Sequence, residues 1–166
     1  MLDGKPVLHL ICGKIAAGKS TLAARLAEAD NTVLIAEDDW LAALFQSELK
    51  SPRDYLRCAS KLRVAMGPHI ATLLNAGLYV VLDFQANTRQ SRAWMRSLLD
   101  QTGVAHQFHV LMPPDDVCLA RLRMRNESGK HPFVVTEDQF HEIGGYFDPP
   151  SPEEGFHLIH YDWAHD

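Results

Sequence analysis

An α/β fold built on a mostly parallel sheet is what this sequence predicts, and three observations carry that expectation. Apolar runs of strand length alternate with longer stretches of helical periodicity along the chain. The runs Val33-Leu34-Ile35 and Val80-Val81-Leu82 are continuously apolar rather than alternating, as suits strands covered on both faces. A glycine-bearing turn joins the first strand to the first helix, which is where such sheets place a ligand.

In chain order, strands are expected at 7–12, 32–36, 79–83, 107–111 and 156–161. Helices are expected near 19–29, 40–49, 53–76, 88–101, 115–126 and 137–147. In the long helix, Leu56, Ala59, Leu62, Met66, Ile70 and Leu73 recur at helical spacing and mark a core-facing stripe. Arg53, Arg57 and Lys61 occupy its other face, which reads as solvated, the alternative being a grip for an anionic acceptor. Asn87 with Gln90, and Thr136 with Gln139, have the spacing of capping boxes. Gly77 and Gly103 close helices, and Pro149, Pro150 and Pro152 stiffen the approach to the last strand.

With 166 residues, 46% of them apolar, the chain fits one domain with a proper core. No stretch reaches transmembrane length, and the N-terminus lacks a secretory pattern. Cys12, Cys58 and Cys118 are scattered, so reduced thiols in a cytoplasmic protein are expected. The net charge of −5 argues against a nucleic-acid groove, although a local basic patch could still serve one, and nucleic acid is not the expected partner. His106 and His109 lie three apart on an expected strand and point to opposite faces, and His157 with His160 repeats the pattern. A zinc site is not expected.

Gly13-Lys14-Ile15-Ala16-Ala17-Gly18-Lys19-Ser20-Thr21 holds a complete phosphate-binding loop, Gly-x-x-x-x-Gly-Lys-Ser, between strand and helix. Gly13, Ala16, Ala17, Gly18, Lys19, Ser20 and Thr21 are therefore the candidate nucleotide cradle. Backbone N–H groups converge there, and the helix adds its positive end. Lys19 would reach the β- and γ-phosphates, and Ser20 would ligate Mg²⁺. The chain has no Asn-Lys-x-Asp segment of a GTPase and no Leu-Ser-Gly-Gly-Gln of a transporter.

Three landmarks together resemble the small P-loop kinases, the group of polynucleotide 5′-kinases, chloramphenicol phosphotransferase, zeta-type toxins, and gluconate and shikimate kinases. They are the loop at 13–21, Glu37-Asp38-Asp39-Trp40 after the second strand, and Val80-Val81-Leu82-Asp83 followed by Arg89 and Arg92. The resemblance implies a P-loop NTPase fold, a three-layer αβα sandwich with five parallel strands in the order 2-3-1-4-5. It also implies one domain over 1–166, with acceptor-binding helices at 40–76 and a lid at 126–136.

By the same resemblance Asp38 would be the catalytic base, although adjacent aspartates before Trp40 also suit a helix cap. Asp83 stands at the Walker B position, to hold Mg²⁺ or orient the acceptor, or else simply ends a strand. Arg121 and Arg125, one helical turn apart, would contact adenine and phosphate, or form a solvated basic face. Trp40 and Arg92 are candidate acceptor contacts. The expected activity is transfer of the γ-phosphoryl group of ATP to a small-molecule hydroxyl. The alternatives are a 5′-hydroxyl polynucleotide kinase and a non-catalytic ATP-binding regulatory protein.

Overall fold

The computed structural model describes residues 4–131, 133–161 and 163. Five strands form one sheet: β1 (Val7–Cys12), β2 (Thr32–Ala36), β3 (Tyr79–Asp83), β4 (Ala105–Val110) and β5 (Leu158–His160). Their order is β2-β3-β1-β4-β5 and every pairing is parallel. The carboxyl ends of β1, β2 and β3 therefore open at one edge, with β1 central and the loop after it at the crevice. Register aligns Ala36 with Asp83, so the chain leaving β2 passes beside the acid ending β3.

Six helices cover the sheet: α1 (Lys19–Leu26), α2 (Glu37–Phe45), α3 (Pro52–Asn75), α4 (Arg89–Thr102), α5 (Asp115–Ser128) and α6 (Glu137–Gly144). Strand side chains alternate between two cores. Leu8, Leu10 and Cys12 of β1 pack with Leu62, Met66 and Ile70 of α3 and Met95 of α4. Ile11 and Val81 face the other way, with Leu22 of α1, Leu122 of α5 and Phe140 of α6. This is the expected three-layer αβα sandwich in the expected strand order.

Local differences have identifiable causes. Ser51 caps α3 by accepting from the Asp54 N–H, and Pro52 follows at the first helical position. The core stripe of α3 runs through Cys58, Ala59, Leu62, Met66, Ile70 and Leu74. Leu56 is 65% exposed because it stands about 120° around the helix from Leu62. The capping box of α4 is built by Thr88 and Ser91, not Asn87 and Gln90. Thr136 and Gln139 cap α6 as expected. The helix after β2 starts at Glu37, three residues early, and its N-cap residue Ala36 offers no side-chain bond. Its first turn instead carries Glu37, Asp38 and Asp39, whose negative charges suit the helix's positive end by about 0.3–1 kcal/mol each.

His9 and His109 meet across the β1–β4 pairing, Nδ1 to Nε2 at 3.1 Å, and His109 Nδ1 lies 2.7 Å from the Tyr161 hydroxyl. Burial, with the neighbouring His9 second, pushes His109 from its ordinary 6.5 down to about 4. Burial lowers His9 as well. The unfolded chain therefore binds protons that the folded chain refuses. Stability should be full above pH 6.5 and fall as pH drops through 6.5 toward about 4. Melting temperatures across this range test the sign. His109→Gln should lose less on acidification than the unsubstituted chain, and an equal loss would assign the effect elsewhere.

Candidate active site

The phosphate loop leaves β1 at Gly13, where a side chain has no room: a Cβ would stand 2.6 Å from the Leu111 carbonyl oxygen. Gly18 adopts φ 99°, a conformation natural to glycine. Ala16 takes φ 61°, which costs a residue with a Cβ about 1–2 kcal/mol. Left-handed residues inside a loop turn successive N–H groups to one side, and that concavity suits anions. The strain at Ala16 is thus of the kind stored at ligand-binding loops.

Three side chains from two other segments hold the loop. Asn87, buried after β3, accepts the Gly13 N–H through Oδ1 at 3.2 Å. Lys14 pairs with Asp115 at the start of α5 at 2.9 Å. Arg121, farther along α5, donates from Nη1 to the Ala17 carbonyl at 3.2 Å. The sequence pattern of Asn87 points to capping, whereas its bond to a partner 74 residues away has no sequence signature.

Lys19 opens α1, and its ammonium donates to the carbonyls of Gly13 at 2.8 Å and Lys14 at 3.1 Å. Burial lowers its pKa, opposed by the charges of Asp83, Cys12 and Asp38. Ser20, exposed beside it, donates to Asp83 Oδ2 at 2.7 Å. Burial raises the pKa of Asp83, while the Ser20 hydroxyl and Lys19 oppose the rise. Thr21 lies exposed in the first turn of α1.

Asp38 enters the same crevice from α2. The Tyr55 hydroxyl of α3 lies 3.1 Å from Asp38 Oδ1 and 3.3 Å from Glu37 Oε1. Glu37 is 2% exposed. It accepts from the Gln85 N–H at 3.2 Å and pairs with Arg63 at 3.3 Å. Burial raises its pKa and Arg63 limits the rise. The Tyr55 phenol is held well above its ordinary value, by burial first and then by the two carboxylates. Tyr55 and Glu37 thus fix the side of α2 from which Asp38 projects.

The far side of the crevice comes from the end of α5 and the segment after it. Burial lowers the pKa of Arg125, and the charge of Asp38 opposes this, so the two groups face one another electrostatically. Its Nε is buried without a partner among the described residues. Asn126 donates to the Val135 carbonyl at 2.7 Å, tying together the two ends of the expected lid. Within it, His131 Nε2 lies 3.9 Å from Asp38 Oδ2. Phe133 meets the Tyr55 ring edge-on at 6.1 Å. Pro132 lies outside the described residues.

Lys19, Ser20, Asp38, Asp83 and Arg125 are therefore gathered at one edge of the sheet. The AAA domain family matches residues 8–150. This chain belongs to that family. Among solved structures it is similar to a candidate kinase from Chloroflexus aurantiacus, with a TM-score of 0.73 and 22% identity over 95% of this chain and 88% of the other. A sugar kinase from Janibacter sp. gives a TM-score of 0.63 and 16% identity, covering 96% and 86% of the two chains. Chaetomium thermophilum Kti12, solved with ADP-AlF3, gives 0.63 and 14% identity over 95% and 90%. No match was found among curated proteins. These likenesses show a P-loop kinase-like fold.

Two expected members of the site stand elsewhere in this member of the AAA domain family. Trp40 follows Asp38 by two residues, about 200° around α2, and is 41% exposed on another side of the helix. Arg92 is 1% exposed. Its Nε donates to Glu154 at 2.7 Å, and Nη1 donates to the carbonyls of Ala86 at 3.0 Å and Asp148 at 2.6 Å. It stitches the 148–155 loop to α4 and has no surface to offer an acceptor. Arg53, Arg57 and Lys61 are exposed, the first two about 160° and the third about 120° around α3 from Tyr55, so that stripe also faces away from the site. Arg92→Ala should cost about 3–5 kcal/mol, because Glu154 keeps a half-hidden charge without its partner. Denaturant unfolding together with nucleotide titration checks this: stability should drop while ADP affinity in the folded protein holds. A variant of unchanged stability would return Arg92 to the list of binding residues.

Proposed function

We propose that this chain is an ATP-dependent kinase that transfers the γ-phosphoryl group to a hydroxyl of a small-molecule acceptor. The observation that carries the reading is the place of Asp38: Tyr55 holds it at 3.1 Å just after Ala36, the register partner of Asp83, and Asp83 in turn meets Ser20 of the phosphate loop at 2.7 Å. A nucleotide-binding loop alone needs no carboxylate facing the terminal phosphate. A phosphotransferase does.

In this reading the loop N–H groups from Gly13 to Thr21 cradle the phosphates and Lys19 turns from its own loop carbonyls to the β- and γ-oxygens. Ser20 and Asp83 suit Mg²⁺: two hard oxygen donors lie 2.7 Å apart at the loop's exposed rim. Among the described residues no cluster of three or more His, Cys, Asp or Glu could hold a metal, so phosphate and water oxygens would complete the shell, as is usual for Mg²⁺. When bound, the ion would neutralise charge on the phosphates.

Asp38 accepts the proton of the acceptor hydroxyl as the new O–Pγ bond forms. The bond from Pγ to the β-phosphate oxygen breaks, and ADP leaves with the electron pair. Tyr55 holds Asp38 through one carboxylate oxygen, leaving the other toward the acceptor. Arg125 meets charge on the transferring group. Residues 40–76 supply the acceptor side, with Tyr55 as its wall, and 126–136 act as a lid that excludes water. No helix among the described residues is long and apolar enough to cross a membrane. The three cysteines are buried and unpaired, in keeping with a reducing, ATP-rich cytoplasmic setting.

ATP consumption by the purified chain should be measured against a panel of sugars, nucleosides, antibiotics and 5′-hydroxyl oligonucleotides. An uncharged or small-molecule member should accelerate it. Asp38→Asn should then lower kcat by about 10²–10⁴-fold with ATP affinity retained, the range expected for a lost general base. Lys19→Ala should abolish turnover. Acceptor-independent hydrolysis indifferent to Asp38→Asn would point to the regulatory reading.

A further inference from the structure

Beyond β5 the chain returns to the phosphate loop. Trp163 packs against the core that contains Ala17, Leu22, Leu111 and Leu122, and its ring lies over the Arg121 guanidinium at 4.9 Å. That guanidinium is fixed on a second side, where Nη1 donates to the Ala17 carbonyl. It also stands close over Gly18, 3.4 Å from where a Cβ would be. Arg121 nevertheless remains exposed. One edge is on the loop and one face is under the indole, at the rim of the phosphate cradle.

Such a group is suited to stack a flat heteroaromatic ring, because a guanidinium is planar, delocalised and weakly hydrated. An arginine on a helix surface normally loses rotamer freedom when it does so. Here the loss is met in advance, since the indole and the Ala17 carbonyl already define the plane. The indole Nε1 is buried and bonded to nothing among the described residues, so the ring acts through its face.

We propose that Trp163 is a positioning residue for the nucleobase. Its indole backs Arg121, and the other face of the guanidinium stacks the base of the nucleotide whose phosphates occupy the loop. The proposal rests on the nucleotide reading of that loop.

Isothermal titration of the full chain with ATP and with inorganic tripolyphosphate separates the two. Trp163→Ala should weaken ATP binding about tenfold, as fits one lost stacking layer, while tripolyphosphate binding stays within about twofold. Trp163→Phe should recover most of the ATP affinity, because it restores an aromatic face. Unchanged ATP affinity in Trp163→Ala would overturn the proposal. So would an equal loss for both ligands, which would make Trp163 a prop for the loop. Lys19→Ala, weakening both ligands, controls for the loop itself. If the unsubstituted chain binds neither ligand, the nucleotide reading fails and Trp163 loses its role with it.

Discussion

A loop that must point its N–H groups at a ligand cannot hold itself together with them, and that constraint organises this molecule. The segment from Gly13 to Gly18 has one internal backbone bond of the turn type, from the Ala17 N–H to the Lys14 carbonyl at 3.1 Å. The remaining restraint comes from outside: Asn87 after β3, Asp115 and Arg121 on α5, and the Leu111 carbonyl against Gly13. Each of these stands on an element flanking β1 in the sheet or following such a strand. The strand order is thus what delivers the tethers, and the left-handed turn at Ala16 persists because they over-determine it.

Buried ions do the same work on the side of the crevice proposed for the acceptor. Glu37 and Arg63 form a nearly buried pair, with Glu37 also receiving the Gln85 N–H. Such pairs contribute little net stability, because desolvation offsets the attraction, but each bond has a direction. Glu37 ties the first turn of α2 to the chain leaving β3, and Tyr55 ties it to α3. The adjacent Asp38 is held at the crevice by its neighbour's bonds as much as by its own.

The strands and the phosphate loop were legible because each depends on signals local in the chain. Apolar runs mark β1 and β3, and the glycine-lysine-serine spacing marks a turn that few other structures use. Strand order became readable only through resemblance, since spacing along the chain does not say which strand lies beside which. Side-chain destinations were the least legible. Arg92 and Arg121 look alike in sequence, both on helices after strands of the crevice. One is sealed under a loop 56–62 residues away, and the other lies on the phosphate loop 104 residues away. Asn87 and Ser91 show the same limit at short range: a capping pattern one residue out of register changed a loop tether into a cap.

Arg121 and Arg125 share one face of α5, yet they act on different parts of the crevice, and the difference follows from how α5 is anchored. The helix is fixed at its start by Lys14 with Asp115 and at its middle by Arg121 on Ala17. Among the described residues its last turn has no such bond to the phosphate loop: Arg123 pairs with Glu137 of α6, and the Asn126 side chain donates to Val135, inside the segment after the helix. The first arginine therefore belongs to the frame of the phosphate loop, and the second to the segment proposed as a lid. In that proposal, closure beginning beyond Arg121 would carry Arg125, His131 and Phe133 together onto Asp38 and Tyr55 without disturbing the cradle. One helix would then join the phosphate site to the acceptor cover, with the boundary between them within a single turn.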